Sequence, residues 1–509
     1  MRRKTGSAAR WALAAALPVL PIAAFAPAPV AASDAARAHP VASHWAGWLG
    51  AAGTTPSATL QQVRTVIGAD TGSAGSLTGK GVGVALIDTG VAPVEGLPAG
   101  QIVNGPDLSF ESQAANLRYL DTFGHGTHMA GIIVADDAAT GTRGLAPAAK
   151  LTSIKVGSAN GAVDVTQVIA AVDWVVAHRN DDPANPIKVL NLSYGSGGTP
   201  ENWSDPLVFA VEKAWRSGIV VVAAVGNDGN SAGALANPAA DEFIISVGAA
   251  ATKGTVTVAD DELTTFTNVA SGGKQADVLA PGVSIESLRD AGSYIDTTYP
   301  AARVGATLFR GTGTSQAAAV TSAAVALLLQ AKPTATPDAV KSWLRRGATY
   351  VPTAPASQMG LKEINVNAAL SRSSETVRAQ TFNASNGNGS LDASRGTSRV
   401  VLDDVPLEGE ASVWGPLSTP AWATRAGSAT SWSGGVWMGY RVAGDDWSGS
   451  SWASRTWAPA HWTSKPWSGA AGWTDPNWSA RTWSARTWSG GTWSARTWSS
   501  DDWSAATWG

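Results

Sequence analysis

The chain has 509 residues, with 36 Lys and Arg against 39 Asp and Glu, for a formal charge of −3. Apolar residues make up 44% and charged residues 15%, the composition of a folded chain long enough for several domains. The near-neutral balance excludes nucleic acid as the main partner. The absence of cysteine excludes disulfides, thiolate metal sites and cysteine nucleophiles. Tryptophan is the outlier: 24 in all, of which 17 fall from Trp414 onwards.

Residues 1–32 read as a secretory signal. Arg2, Arg3 and Lys4 precede an apolar stretch from Trp11 to Phe25, and small residues such as Val30-Ala31-Ala32 close it. Beyond it no run of about 18 uninterrupted apolar residues occurs, so no membrane partner is expected once the signal is removed. Residues 33–65 form a leader or short pro-segment, and between Ser33 and about Leu77 only Leu60 to Ile67 has a helical pattern. From residue 66 to 370, apolar β-branched runs alternate with helical patterns. The runs are Val82–Ile87, Leu151–Val156, Val189–Leu192, Ile219–Val225 and Phe243–Val247. They lack polar alternation, as strands buried on both faces do. Helices are expected over Val165–Ala177, Leu207–Arg216 and Gln316–Lys332. This alternation gives an α/β fold with a parallel sheet, and chemical groups belong at the carboxyl ends of its strands.

Four residues meet that expectation. Asp88 follows the first run directly, where a carboxylate can orient an imidazole or cap a turn. His125 lies between glycines in Gly124-His125-Gly126-Thr127-His128, at the start of an expected helix. His128 has neither a nearby third ligand nor an intervening Glu, so a zinc site is not expected and a core or supporting role is. Asn227 follows the Ile219–Val225 run, either as a turn residue or as an amide donor. Ser315 precedes a long apolar helix, either as its N-cap or as a nucleophile. Together they supply one reaction. A serine needs a base, the base needs an acid to fix its tautomer, and the oxyanion needs donors already in place.

These residues and their surroundings resemble the subtilisin-like serine proteases, or subtilases. The resemblance rests on Val84-Ala85-Leu86-Ile87-Asp88-Thr89-Gly90, on Gly124 to Gly131, and on Gly313-Thr314-Ser315-Gln316-Ala317-Ala318. Gly144-Leu145-Ala146-Pro147, Val225-Gly226-Asn227 and Leu279-Ala280-Pro281-Gly282 fit in register. It implies a three-layer α/β subtilisin-like fold with a mostly parallel central sheet, and endopeptidase activity on protein or peptide substrates. Ser315 would attack the scissile carbonyl, His125 would shuttle the proton and Asp88 would orient His125. Asn227 and the Ser315 N–H would form the oxyanion hole. Ser193-Tyr194-Gly195 would be one substrate-pairing edge, and Gly161-Ala162 the opposite one. Four departures stand out. Gln316 replaces the Met that usually follows the nucleophile, and Ala319 replaces a Pro. The 136–143 stretch stands where some subtilases hold calcium but lacks a clear ligand pattern, so no cofactor is required and calcium is optional. The region before Asp88 is too short for the usual folded pro-domain.

Residues 371–413 read as a linker or small β segment, and 414–509 as a separate Trp-rich module of five-residue repeats. A five-residue step drifts about 140° around a helix, so an amphipathic helix is excluded. The repeats suit a stacked β-coil, a row of exposed indoles gripping cell-wall glycan, or a sticky tail without regular structure. The expectation is a secreted protease, with cell-wall association if the indoles are exposed.

Overall fold

The computed structural model describes residues 56–442, apart from short internal stretches, together with the backbone of Trp493–Ala495. The expected signal, most of the leader and the remaining repeats lie outside the described residues.

The central sheet contains β1 (Gly83–Asp88), β2 (Ile102–Asp107), β3 (Lys150–Lys155), β4 (Ile187–Leu192), β5 (Val220–Ala224), β6 (Ile245–Ala251) and β7 (Val278–Pro281). Two short strands, β8 (Thr349–Tyr350) and β9 (Lys362–Glu363), extend one edge. The order is β8-β9-β7-β6-β5-β4-β1-β3-β2. All neighbours in this order are parallel except β8 against β9, and a tenth short strand, Glu262–Leu263, pairs antiparallel with the end of β6. The five expected runs are therefore strands, and β1 is buried along its whole length. β2 and β7 complete the sheet.

Helices cover the sheet in two layers. α2 (His125–Val134) packs against the long α5 (Thr314–Ala331), which also packs on β4 to β7. α3 (Val165–His178) packs against α4 (Pro206–Arg216). Each start has a local cause. Asp164 caps α3 in a capping box with Gln167, and Asp205 caps α4 ahead of Pro206. α5 is apolar enough to cross a membrane by composition, but it is buried within the protein as a core helix. Ala319 lies inside it, and the helix runs through that position unbroken.

Residues on both sides of the expected catalytic region pack against it. Upstream, Thr59 caps α1 (Leu60–Val66), and Ala58 pairs with Ile285, so the packed region includes the end of the expected leader. Downstream, α6 (Pro337–Gly347) and α7 (Val366–Ser371) lead into α8 (Leu391–Arg395) and α9 (Thr419–Gly427). Trp414 and Trp422 are buried in the same core as the sheet, so the start of the Trp-rich stretch packs against the catalytic region. The reason is a polar anchor on α3. The indole N–H groups of Trp422 and Trp437 both donate to Asp173 Oδ2, at 2.8 and 2.9 Å. Trp432 donates to the Ala170 carbonyl at 2.9 Å.

Candidate active site

β3 and β4 flank β1, and all three carry polar residues at their carboxyl ends. Asp88 ends β1. Nδ1 of His125, the first residue of α2, donates to its Oδ1 at 2.8 Å and Oδ2 at 3.1 Å. A carboxylate can only accept, so this contact places the proton on Nδ1 and leaves Nε2 as the basic nitrogen. The glycines around His125 are required by space. Gly124 has φ of 103°, and a side chain there would meet Ser293 and Ile295. A side chain on Gly126 would run into the Gly90 carbonyl.

Asp121 holds this corner together, and the sequence reading does not single it out. Its Oδ1 accepts from Thr89 Oγ1 and from the Gly124 N–H, both at 2.7 Å. Its Oδ2 accepts from the N–H and hydroxyl of Thr127, also at 2.7 Å. One buried carboxylate thus ties the residue after Asp88 to the first turn of α2. Burial pushes its carboxyl above the usual range, and the Thr127 hydroxyl opposes that shift. The available signal was an acid four residues ahead of a glycine-flanked helix start.

A buried ion pair braces the next strand end. Lys155 Nζ lies 3.0 Å from Glu111 Oε2 and donates to the carbonyls of Thr89 and Gly157, at 2.8 and 2.9 Å. Glu111 also accepts from Thr122 Oγ1 at 2.7 Å and from the Ala159 N–H at 3.0 Å. The remaining valences of this buried pair are therefore used, as such a pair requires. It links the Asp88 turn to the loop carrying Gly161 and Ala162.

Asn227 lies three residues beyond β5 in a turn held by Asn268, another residue that sequence alone does not mark. Asn268 Oδ1 accepts from the Asp228 N–H at 2.6 Å, and its own N–H donates to the Gly226 carbonyl at 3.1 Å. Asn227 Oδ1 accepts from the Thr314 N–H at 3.0 Å. That bond orients the amide, and its Nδ2 is buried with no hydrogen-bond partner among the described residues. The next residue is Ser315, in the first turn of α5, with the helix dipole behind it.

Ser193-Tyr194-Gly195 continue β4. Asn191 Nδ2 donates to Ser193 Oγ at 3.0 Å, and Ser193 Oγ approaches the Ser315 carbonyl at 3.4 Å. Tyr194 is buried, so its backbone rather than its ring is what this edge presents. Across β1, Gly161 and Ala162 close a turn with Ser158, through bonds of 2.7 Å from the Gly161 N–H and 3.3 Å to the Ala162 carbonyl. The two expected edges thus rise from the strands on either side of β1.

His128 is a core residue. Its Nε2 donates to the Phe309 carbonyl at 3.1 Å, and burial pulls its pKa down to about 4, so it is neutral at pH 7. Gln316 lies beside it, near Gly311. The 136–143 stretch closes as a hairpin, Asp136–Asp137 against Thr142–Arg143. Asp137 accepts from Thr140 Oγ1 and the Ala139 N–H, at 2.5 and 2.9 Å, and Asp136 lies 4.0 Å from Arg143. These locally committed carboxylates do not make the six to eight oxygens that calcium takes. Among the described residues no three His, Cys, Asp or Glu side chains gather in a metal-binding cluster.

A parallel sheet covered by helices, with an acid, an imidazole, an amide and a serine at its carboxyl edge, defines the class of α/β hydrolytic folds. The subtilase family model matches residues 79–398, and the chain belongs to that family. Serine protease AprX of Bacillus subtilis is 38% identical over 279 residues, 53% of this chain and 62% of AprX. Subtilisin DY of Bacillus licheniformis is 33% identical over 307 residues, 60% of this chain and 96% of that protein. The match to the minor extracellular protease Epr of Bacillus subtilis, at 32% identity, spans 37% of that longer protein. A solved cold adapted subtilisin-like serine proteinase aligns over 58% of this chain and 90% of its own, at 26% identity and a TM-score of 0.44.

Proposed function

We propose that the protein is an exported serine endopeptidase acting on protein or peptide substrates. Ser315 Oγ attacks the scissile carbonyl while His125 Nε2 takes its proton. The same imidazole then gives that proton to the leaving amine, and water repeats the cycle on the acyl-enzyme. Asp88 holds the Nδ1–H tautomer and stabilises the imidazolium. Asn227 Nδ2 and the Ser315 N–H receive the oxyanion. The substrate lies extended between the 193–195 and 161–162 edges, adding as a strand. Calcium has no step in this mechanism.

The observation that carries the reading is the combination of the Asp88–His125 contact with an Asn227 amide oriented by Thr314 and bearing a buried, uncommitted N–H. The names of the relatives agree with it, and the one named minor extracellular protease favours export. The test is casein hydrolysis by the purified chain beside Ser315→Ala. Hydrolysis lost in the variant supports the proposal; equal, near-zero hydrolysis by both overturns it. Trp414, Trp422 and Trp437 turn inward, so these three offer no exposed indole to a glycan.

A further inference from the structure

Arg395 ends α8 in the stretch that follows α7, here the C-terminal extension, whose first part still lies within the family match; it is more than 60 residues beyond the end of α5 and fully buried. All five of its N–H groups have acceptors. Nε donates to Asp164 Oδ2 at 2.6 Å, and Nη2 to Asp164 Oδ1 at 3.4 Å and to the Ala411 carbonyl. Nη1 donates to Asp392 Oδ1 at 3.1 Å and to the Gly409 carbonyl at 2.8 Å. Asp164 is the N-cap of α3 and stands two residues after Ala162, so the guanidinium fixes the downstream end of one edge.

The other edge meets the same turn. Ser196 Oγ donates to the carbonyl of Ser394, the residue before Arg395. Asn237, which pairs with Ser196, donates from Nδ2 to Oδ2 of Asp205, the cap of α4, at 3.3 Å. Ser196 also exchanges backbone bonds with Asn237, at 2.9 and 3.2 Å. The Tyr194 phenol is buried within the fields of Asp164, Arg395 and Asp205, and burial holds it protonated. One dipeptide of the extension therefore touches the supports of both edges from behind.

We infer that Arg395 is a positioning residue for peptide binding, in which the C-terminal extension sets the separation of the 161–164 and 193–196 edges. The inference rests on the endopeptidase reading for its substrate. A bound strand pairs with both edges at once, so a displacement of about 1 Å between them weakens extended substrates strongly. A small reagent that reaches only Ser315 does not use the edges and is indifferent to it. A purely structural Arg395 would instead change the folded fraction, with equal effect on every substrate per active site.

Removing one partner of a buried ion pair leaves an uncompensated charge. The test therefore uses Arg395→Lys and the neutral double variant Arg395→Met with Asp164→Asn. Active sites are counted with diisopropyl fluorophosphate, and kcat and KM on casein are compared with the rate of that phosphorylation. The inference predicts that casein KM rises about tenfold in the double variant while phosphorylation stays within about twofold. Arg395→Lys should fall between, because an ammonium cannot form the two-point contact. Unchanged KM, or parallel loss in both readouts, overturns it. A second arm measures casein binding by the Ser315→Ala protein with and without the double change, and about tenfold weaker binding is expected. That arm reads the groove alone. A chain that ignores the fluorophosphate but shows this loss contradicts the catalytic proposal and keeps the positioning role.

Discussion

Asp88, at the end of β1, and Asp173, on α3, are both buried carboxylates whose shortest contacts with ring nitrogens are 2.8 to 2.9 Å. Their partners make the difference. Asp88 faces an imidazole, which can take up a proton and become a cation beside it. Asp173 faces two indoles and the Ser431 hydroxyl, which donate hydrogen bonds but never carry charge. Burial accordingly pushes the Asp173 carboxyl up to about 6. The same side chain thus serves a proton shuttle in one place and a clasp for the Trp-rich segment in the other. The partner, not the carboxylate, assigns the role.

The largest effect expected from breaking this comparison is on the Asp88 side. Asp88→Asn should lower kcat by about 10⁴ with the fold intact, because the amide stabilises the wrong imidazole tautomer. Circular dichroism and casein kinetics check it together. Asn227→Ala should lower kcat by about 10²–10³ with little change in KM, a scale measured on a subtilisin itself and so not independent of this family.

The Asp173 side should change stability and leave activity per site alone. Its folded pKa of about 6 lies above the ordinary 3.8. The stability it contributes is therefore full below pH 3.8 and is lost as pH rises through 6, about 3 kcal/mol over the window. Asp173→Asn keeps an acceptor for both indoles but does not titrate, so this slope should vanish. Asp173→Leu strands two buried indole donors and should be less stable than Asp173→Asn by about 2 kcal/mol or more. Urea unfolding in a Ser315→Ala background at pH 4.5 and 8 checks both without autolysis. A pH slope unchanged in Asp173→Asn would show that Asp173 is not the titrating group.

A smaller contrast concerns oxidation. Gln316 has no sulfur to oxidise, so activity should survive mild peroxide, and Gln316→Met should make it sensitive. Activity against exposure time, with peptide mass spectra at position 316, tests this.

What the sequence disclosed follows from the kind of signal each part carries. β1 and β5 are nearly continuous apolar runs and could be read directly, and β3 and β4 carry enough apolar residues between their polar ones to follow. β2 reads Ile-Val-Asn-Gly-Pro-Asp, with glycine and proline where a strand is least expected, and its existence depends on β3 beside it. Asp88, His125, Asn227 and Ser315 stood out because each occupies a local motif at an element boundary. Asp121, Lys155 and Glu111 did not, because their partners are distant in sequence or lie on other elements. The packing of Trp414, Trp422 and Trp437 was hidden for the same reason. The repeat is visible in one dimension, but the acceptor that binds Trp422 and Trp437 lies some 250 residues upstream at Asp173.

The central claim is that Ser315 is made nucleophilic by His125 under the control of Asp88. Mapping the adduct of a fluorophosphonate by mass spectrometry tests it most directly. A single adduct on Ser315, abolished in His125→Ala and strongly slowed in Asp88→Asn, is the expected result. An adduct elsewhere, or one on Ser315 that forms equally fast without His125, would contradict the account.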